Sequence, residues 1–465
     1  MKAQPVPVSR EAIPPRHPVS VTAKEVVSSL QSRVVVDGFR IVIDLVKSRG
    51  SRLVDAATGR SMLDFYSFFA SMPIGYNHPR FSEPEVREEL LDAARTKVAN
   101  CDVYSVPYAR FVHTLHRVMG LSPLERYFFI DGGALAVENA LKAAMDWKVR
   151  KNLAEGKGER GTEILHFEKA FHGRTGYTLS ITNTEPNKTN YFAKFPWPRV
   201  AAAAVDYALP EADREKDAAS REQISLHHVE TILRRKGDDI AGIIIEPIQG
   251  EGGDNHFRGE FLRGLRTLCD RYSVLLIFDE VQTGMGLTGK NWCCEHFDVR
   301  PDLLAFGKKS QVCGVMAGPR LDEVEDNCFR LSGRISSTWG GNLTDMVRST
   351  HCLEIIEEEN LVENARAMGV RFLEGLLQIQ GEFSFITAAR GRGLMTAFDL
   401  PDGERRDAFW KGLYDNNLLA IRCGPRSVRF RPVLDVREEE IDEALDAVRQ
   451  QCRRMEKSAP AAASR

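Results

Sequence analysis

Two short apolar runs lead into charged side chains that could carry out chemistry together. The run 274–278 leads into Asp279, and the run 303–306 leads through a glycine into Lys308. Continuous apolar runs of this length predict strands that are buried on both faces. In an open parallel sheet the binding crevice lies at the carboxyl ends of the strands, so the acid and the lysine are expected to meet there.

A lysine and a carboxylate in one crevice are what pyridoxal phosphate chemistry needs. The lysine amine condenses with the cofactor's aldehyde, while the carboxylate keeps the pyridine nitrogen protonated so that the ring accepts electrons. Taken singly, Asp279 could be a cap or part of a structural ion pair, and Lys308-Lys309 could be a solvated pair. Lys308 is preferred over Lys309 because it follows the glycine directly, and because neighbouring side chains on a strand point to opposite faces.

A glycine pair stands before a predicted helix. Gly132 and Gly133 precede a pattern in which Val137, Leu141 and Ala144 share one helical face. Free N–H groups at a helix N-terminus bind anions, and the helix dipole adds to the attraction. The pair predicts a phosphate site in this context, although alone it could be a plain helix start.

A second glycine pattern, Gly284-x-Gly286-x-x-Gly289, resembles a dinucleotide fingerprint. A true fingerprint has its first glycine directly at the strand end and an acid about 20 residues further on. Four residues intervene after Asp279 here, and Asp302 comes before its strand instead of at its end. A nicotinamide-dependent dehydrogenase is therefore the weaker hypothesis.

Composition limits the class of protein. The chain has 465 residues, a net charge of -2 and dispersed basic residues, which gives no reason to expect nucleic-acid or membrane binding. No apolar run is long enough to span a bilayer, and the N-terminus has no signal-peptide pattern. Nine cysteines at irregular spacing favour reduced thiols in the cytoplasm over disulfides or a metal site.

Strands alternate with helices from about residue 163 to 318, which predicts an α/β fold with a mostly parallel sheet. We expect an N-terminal arm (1–20), a large domain (76–344) and a tail (457–465), with a smaller α+β domain built from 21–75 and 345–456. Within these, 37–46 and 392–398 are expected to be strands, and the charged stretch 210–223 a surface excursion. The aromatic loop 66–76 either packs between the domains or lines a substrate pocket.

The ordered motifs resemble the class III (ω-type) aminotransferases of fold type I. They are Gly132-Gly133-Ala134, Phe171-His172-Gly173, Glu246-Pro247, Asp279-Glu280-Val281-Gln282-Thr283-Gly284 and Gly307-Lys308. The resemblance covers nearly the whole chain after the arm, and it implies a large domain with a seven-stranded sheet. Segments 247–254, 306–314 and 337–342 are most similar to family members that act on the 6-amino group of L-lysine.

The resemblance implies a role for each matching residue. Lys308 would hold the aldehyde and move the proton, and Asp279 would pair with the ring nitrogen. The other implied cofactor contacts are Gly133 and Ala134 at the phosphate, Phe171 and His172 at the ring, Gln282 at the ring hydroxyl, and Thr338 from the neighbouring subunit of a homodimer. Arg174 and Arg429 would bind carboxylates, since a planar guanidinium suits bidentate pairing.

The implied reaction moves the ε-amino group of L-lysine to 2-oxoglutarate. Arg429 suits the carboxylate beside the reacting carbon of 2-oxoglutarate but would be an unpaired charge when lysine is bound. The resemblance implies that Glu251 covers Arg429 and swings aside. Because Ser336 stands where the lysine-type pattern has asparagine, ornithine and 4-aminobutyrate specificities remain alternatives.

Overall fold

The structure is a computed structural model that describes residues 20–458. The predicted N-terminal arm and C-terminal tail lie almost entirely outside these residues. No helix within the described range is both long and apolar enough to cross a membrane.

Short strands and longer helices alternate along the part of the chain that the structure describes. The strands are β1 Arg52–Val54, β2 Ser61–Asp64, β3 Arg126–Ile130, β4 Glu163–Phe167, β5 Arg199–Val200, β6 Ile240–Ile245, β7 Ile248–Gln249, β8 Asn255–His256, β9 Leu275–Asp279, β10 Leu303–Phe306, β11 Cys313–Ala317, β12 Thr387–Arg392, β13 Met395–Asp399, β14 Leu418–Leu419, β15 Ile421–Cys423 and β16 Ser427–Phe430. The helices are α1 Val26–Gln31, α2 Ser67–Ala70, α3 Pro84–Arg95, α4 Val106–Met119, α5 Gly133–Ala154, α6 Gly176–Ile181, α7 Pro186–Thr189, α8 Glu211–Lys236, α9 Gly259–Arg271, α10 Leu343–Glu358, α11 Leu361–Glu382, α12 Gly403–Asp415 and α13 Glu438–Ser458.

A seven-stranded sheet organises the larger part of the fold. Its order is β3-β11-β10-β9-β6-β4-β5, and every pairing is parallel except those that β11 makes with β3 and β10. The central strands β6, β9 and β10 are buried throughout, as continuous apolar runs require. The predicted α/β class and the mostly parallel seven-stranded sheet are confirmed.

The register of this sheet brings the predicted acid and lysine to one edge. Asp279, the last residue of β9, pairs with Ala305 of β10. Helix α5 packs across β6, β10 and β11. Its first residue, Gly133, borders the same cavity as Lys308. The sheet therefore delivers a carboxylate, a lysine and a helix N-terminus to one place.

Two small sheets complete the fold. β2 pairs with β1 on one side and with the C-terminal strand β14 on the other, and β12, β13, β16 and β15 form a four-stranded antiparallel sheet. Helices α11 and α12 pack against these strands and against α13. N-terminal and C-terminal segments thus share a sheet, while the domain limits stay a prediction.

Of three local predictions, one was wrong and two were confirmed in part. Residues 37–46 form no strand, and only Ile43 makes an isolated bridge, to Asp55, because their apolar side chains Phe39, Ile41 and Ile43 pack in a small cluster instead. The strand predicted at 392–398 is largely confirmed, because residues 395–398 belong to β13 and Arg392 ends β12 just before the two-residue turn of this hairpin. The stretch 210–223 lies at the surface as predicted, but residues 211–223 form the first half of the regular helix α8, with most of their charged side chains exposed.

The aromatic loop contains an unusual backbone segment. Ser67, Phe68, Phe69 and Ala70 of α2 have φ values of 40°, 51°, 59° and 68°, so that they form a left-handed turn. This conformation costs roughly 1–2 kcal/mol per residue for side chains other than glycine. Strain of this kind persists only where the surroundings enforce it, and it is common at functional sites.

The glycines of the dinucleotide-like pattern serve helix packing. Gly286 and Gly289 have φ values of +87° and +80°, and a Cβ atom on Gly289 would lie 2.9 Å from the Cβ of Arg366 on α11. A Cβ atom on Gly286 would lie 3.2 Å from a methyl group of Val362, also on α11. These glycines let α11 approach the turn after β9.

Candidate active site

A cavity of about 680 Å³ opens at the carboxyl edge of the large sheet. It is lined by Phe69, Gly133, Ala134, Phe171, His172, Gly173, Arg174, Thr175, Lys188, Glu246, Glu251, Asp279, Val281, Gln282, Lys308 and Cys313. Nine of the residues predicted for the site are therefore together in one cavity, and Arg429 contacts two of them. Only Thr338 lies elsewhere.

Asp279 is a buried carboxylate with fixed orientation. Its Oδ2 accepts a hydrogen bond from His172 Nδ1 at 2.8 Å, and its Oδ1 accepts one from the Val281 N–H at 3.0 Å. The side chain of His172 is fully buried. Each carboxylate oxygen has one protein donor, which leaves acceptor capacity for a further donor in the cavity.

The N-terminus of α5 borders the same cavity. No side chain caps this helix, so the first N–H groups, at Gly133 and Ala134, have no side-chain partner among the described residues. A Cβ atom on Gly173 (φ +120°) would lie only 2.4 Å from the Cβ of Ala134, so only glycine lets the loop after β4 come this close. The arrangement is an anion site open to the cavity.

Lys308 begins a 3₁₀ turn, Lys308–Ser310, directly after β10. Its φ is 54°, a conformation that turns the chain sharply at the strand end. Desolvation and the nearby charge of Arg429 lower the pKa of the Lys308 amine from 10.5 to about 8. A larger fraction of this amine is therefore unprotonated and nucleophilic near neutral pH than of an exposed lysine.

Lys309 points away from the cavity. It is buried, and its Nζ donates to the carbonyl oxygens of Met72 at 2.9 Å and Ala70 at 3.2 Å. These bonds hold the end of the left-handed turn, whose start is fixed by the N–H groups of Tyr66 and Ser67 on Asp64, each at 2.8 Å. The second lysine thus anchors the wall that carries Phe69.

Replacing Lys309 by methionine is expected to change the pH dependence of stability. Burial, with Arg431 and Lys308 nearby, lowers the pKa of Lys309 from 10.5 to about 7. Between these values the unfolded chain binds a proton that the folded chain lacks. The contribution of Lys309 to the free energy of unfolding is therefore most favourable above pH 10.5, and it is lost as the pH falls to 7, where the buried amine becomes charged. The free energy of unfolding of wild type should therefore increase relative to that of the variant as the pH rises from 7, by up to about 1.4 kcal/mol per pH unit.

Urea unfolding of both proteins at pH 6, 7, 8 and 9 measures this difference. Lys151→Met is the control, because Lys151 is a partly exposed lysine that pairs with Glu323 at 2.5 Å, away from the cavity. A difference between wild type and Lys309→Met that is constant over this range would contradict the account.

Gln282 is oriented by two buried arginines. Its Oε1 accepts from Arg429 Nη1 at 3.1 Å and from Arg431 Nε and Nη2, each at 3.2 Å. Arginine has no acceptor atom, so the amide oxygen must face both guanidinium groups. The Gln282 amide nitrogen is left to donate elsewhere.

Glu251 and Arg429 form an ion pair at the side of the cavity. Glu251 Oε2 accepts from Arg429 Nη2, and Glu251 Oε1 accepts from Lys188 Nζ at 2.5 Å. Burial opposes ionisation of this carboxyl, but Arg429 and Lys188 lower its pKa to about 2. Arg429 is therefore covered by a carboxylate in this state of the protein.

Glu246 is a further buried acid in the cavity, and the sequence motif did not reveal what it does. Its carboxylate accepts from the N–H groups of Phe171 at 3.0 Å and Gly250 at 3.1 Å. It thereby ties the loop after β4 to the loop after β6. Burial raises the pKa of Glu246 to about 7; the charge of Asp279 adds to this rise, and His172 acts against it.

Arg174 and Thr338 are placed differently from the other predicted residues. Arg174 lines the cavity from an exposed position, and its guanidinium makes no ion pair with any residue from 20 to 458. Thr338 is exposed and lies beside Cys101, whose thiol donates to the Thr338 carbonyl at 3.2 Å. Thr338 therefore does not reach the cavity of its own chain.

Two contributors were missed by sequence reasoning. Lys188 gives no motif, because it lies in the short helix α7 and reaches Glu251 only through the tertiary fold. Arg431 could have been noticed, since it follows the last residue of β16 directly and lies two residues after Arg429, and residues at this spacing share a face of an extended chain.

The family model for class III aminotransferases matches residues 35–451. The chain is a class III aminotransferase. This family assignment confirms the predicted enzyme class and sets aside the dehydrogenase hypothesis.

Similar proteins cover almost the whole aminotransferase. An L-lysine-epsilon aminotransferase of Amycolatopsis lactamdurans is 48% identical over 439 residues, which are 93% of this chain and 96% of that protein. A 4-aminobutyrate aminotransferase of Mus musculus is 32% identical, over 90% of this chain and 86% of that protein. The solved structure of a lysine aminotransferase from M. tuberculosis in the internal aldimine form has a TM-score of 0.91 and 49% identity, covering 93% of this chain and 99% of that one.

The cofactor of class III aminotransferases is pyridoxal 5'-phosphate, as the sequence predicted. The residues of the cavity fit this group. The uncapped N-terminus of α5 suits the phosphate, the open lone pairs of Asp279 suit a protonated ring nitrogen, and the half-buried amine of Lys308 suits the aldehyde. The roles of individual residues stay predictions.

Proposed function

We propose that this aminotransferase moves the ε-amino group of L-lysine to 2-oxoglutarate. The products are L-glutamate and 2-aminoadipate 6-semialdehyde, which cyclises to 1-piperideine-6-carboxylate. The observation that carries the proposal is the Glu251–Arg429 ion pair beside Lys308, because it equips one cavity for two substrates of different charge. The lysine aminotransferase names of the relatives support it.

Each side chain has a defined task in this proposal. When bound, pyridoxal 5'-phosphate supplies an aldehyde that takes up the amino group and a ring that accepts electrons. Asp279 holds a proton at the ring nitrogen, and the Gly133 and Ala134 N–H groups bind the phosphate. Lys308 moves the proton at the reacting substrate carbon, for which a pKa of about 8 is close to the working range of a general base.

The two substrates differ in what they place beside the reacting carbon. The ε-carbon of lysine carries no carboxylate, so Arg429 must be neutralised by the protein, and Glu251 does this in the structure. 2-Oxoglutarate brings its own carboxylate next to the reacting carbon, and that group takes the place of Glu251. Arg174, which has no ion-pair partner within residues 20–458, binds the distal carboxylate of either substrate.

A panel of amine donors tests the substrate assignment. L-lysine, L-ornithine and 4-aminobutyrate are compared by kcat/KM with 2-oxoglutarate as acceptor. L-lysine is expected to give the highest value, and mass spectrometry should identify the cyclised semialdehyde. A higher kcat/KM for L-ornithine or 4-aminobutyrate would overturn the lysine assignment in favour of one of these alternative donors.

Replacing Glu251 by alanine is expected to impair the two half-reactions unequally. Without its carboxylate Arg429 is an unpaired buried charge whenever lysine is bound, so the lysine half-reaction should slow by roughly tenfold or more. The 2-oxoglutarate half-reaction should change little, because its own carboxylate pairs with Arg429. Single-turnover kinetics of each half-reaction measure the difference. Equal losses in both would refute the gate, that is, the displacement of Glu251 from Arg429 by a substrate carboxylate.

We further propose that the enzyme is a homodimer with shared active sites. Thr338 is exposed beside a surface that includes Tyr104 and Val106, which are 76% and 83% exposed. Apolar patches of this kind mark protein interfaces. In the dimer, Thr338 of the partner subunit would bind the phosphate, and light scattering of the purified enzyme tests the mass.

The proposal includes a cytoplasmic location. All nine cysteines are free thiols in the structure, which supports a reducing compartment.

A further inference from the structure

The carboxylate of Glu251 has two cationic partners, one on each oxygen. Arg429 donates to Oε2, and Lys188 Nζ lies 2.5 Å from Oε1. Lys188 also contacts Glu185 at 3.2 Å, and its Nζ lies 5.6 Å from the centroid of the Phe171 ring. A second cation therefore sits on the gate residue, beside the ring predicted to stack on the cofactor.

Arg429 lies deepest of the three charges, and Glu251 and Lys188 are both nearer the solvent. The side chains of Arg429, Glu251 and Lys188 are 1%, 17% and 21% exposed. A substrate carboxylate that takes Arg429 therefore displaces the Glu251 side chain outwards, in the direction of Lys188.

The surroundings determine which contact survives this displacement. Arg429 is buried in β16 and donates to Gln282 at 3.1 Å, so it stays in place when the carboxylate moves. The main chain of Glu251 is held by the Gly424 N–H, which donates to its carbonyl at 3.0 Å, so the side chain rotates while the backbone stays. Lys188 has a long flexible side chain and can keep its bond to Oε1 throughout.

We propose that Lys188 is a specificity-determining residue that keeps Glu251 ion-paired after it has left Arg429. Without Lys188 the displaced carboxylate would lose both cations at once, and opening Arg429 to a substrate carboxylate would become less favourable. The inference rests on the proposed gate at Glu251 and deepens it. Lys188, a residue outside every motif, would thereby lower the free-energy cost of moving Glu251 away from Arg429 when 2-oxoglutarate binds.

Lys188→Met is expected to act on one half-reaction. The 2-oxoglutarate half-reaction should slow by about tenfold, the low end of what a hydrogen bond to a charged group contributes, and the lysine half-reaction should change by less than about twofold. The dissociation constant of glutarate, an unreactive dicarboxylate, should rise by the same factor in calorimetry. Lys188→Arg should retain most of both properties, because it can still reach the carboxylate.

A matched control is available at Lys151. Its side chain is 25% exposed, it pairs with Glu323 at 2.5 Å, and its Nζ lies 4.9 Å from the Trp147 ring centroid, away from the cavity. Lys151→Met removes the same kind of contacts and should leave both half-reactions and glutarate binding unchanged.

A double-mutant cycle separates this role from simple attraction of a dianionic substrate. In a Glu251→Gln background there is no carboxylate to hold, so adding Lys188→Met should have no further effect on the 2-oxoglutarate half-reaction. A loss that persists in this background means direct attraction of the substrate and overturns the proposal. Equal slowing of both half-reactions, which would indicate general support of the cofactor site, overturns it as well.

The failure of the proposed function would be visible separately. It is read from the donor panel on wild type, before any variant is made. The role of Lys188 is read from the 2-oxoglutarate half-reaction and glutarate binding, which do not depend on which amine donor starts the cycle.

Discussion

Replacing Lys308 by alanine is expected to lower kcat for amino transfer by at least about 10³-fold. The variant lacks both the amine that meets the cofactor aldehyde and the base that moves the proton at the substrate carbon. Lys309 cannot substitute, because its Nζ is bound to the carbonyls of Ala70 and Met72. Lys308→Arg should be as inactive, since a guanidinium keeps the charge but is not nucleophilic.

Two measurements check this result. Steady-state assays with L-lysine and 2-oxoglutarate give kcat, and borohydride reduction followed by peptide mass spectrometry locates the cofactor. The label is expected on Lys308 in wild type and on no residue of the variant. A label on Lys309, or a variant that retains about a tenth of the wild-type rate, would contradict the assignment of Lys308.

Replacing Asp279 by asparagine is expected to lower kcat by about 10²–10³-fold, the effect of removing one preorganised electrostatic contact at a reacting group. Asparagine keeps the shape: its amide oxygen can accept from the Val281 N–H, and its amide nitrogen can donate to Nδ1 of the His172 tautomer that carries its proton on Nε2. It lacks the negative charge that holds a proton at the ring nitrogen. The loss should therefore appear in kcat and not in folding.

The control for this variant is the thermal stability of the cofactor-free protein. Because the substitution is isosteric, the melting temperature of Asp279→Asn without cofactor should stay close to that of wild type. His172→Gln, which removes the partner of Oδ2 but leaves the charge, should cost less activity than Asp279→Asn. Full activity of Asp279→Asn would show that the ring nitrogen needs no charged partner.

The central part of the site could be predicted because it follows from regular structure. Asp279 and Lys308 each come directly after an apolar run, and parallel strands bring such positions to one edge. In the structure Asp279 pairs with Ala305 across the parallel strands β9 and β10, three residues before Lys308. Gly133 was predictable for the same reason, since the start of a helix is visible in the sequence.

The remaining contacts depend on features that a local pattern does not encode. Lys188 meets Glu251 across 63 positions of sequence and from a four-residue helix. The left-handed conformation of Phe69 is disfavoured for its residue type, so no propensity points to it. The same limit explains residues 37–46, where alternating apolar side chains pack in a cluster without pairing as a strand.

The bonds from Lys309 to Ala70 and Met72, and from Gln311 to the Ser71 carbonyl at 2.8 Å, join the wall of the cavity to the segment that carries Lys308. Phe69 on that wall lines the cavity, and Lys308 is the immediate neighbour of the anchoring lysine. A change of loop 66–72 that enlarges the cavity for a bulkier amine would therefore also shift the reactive amine. Donor size and catalytic rate are expected to evolve together in this enzyme, so laboratory selection for new donors should recover paired substitutions in 66–72 and 309–311.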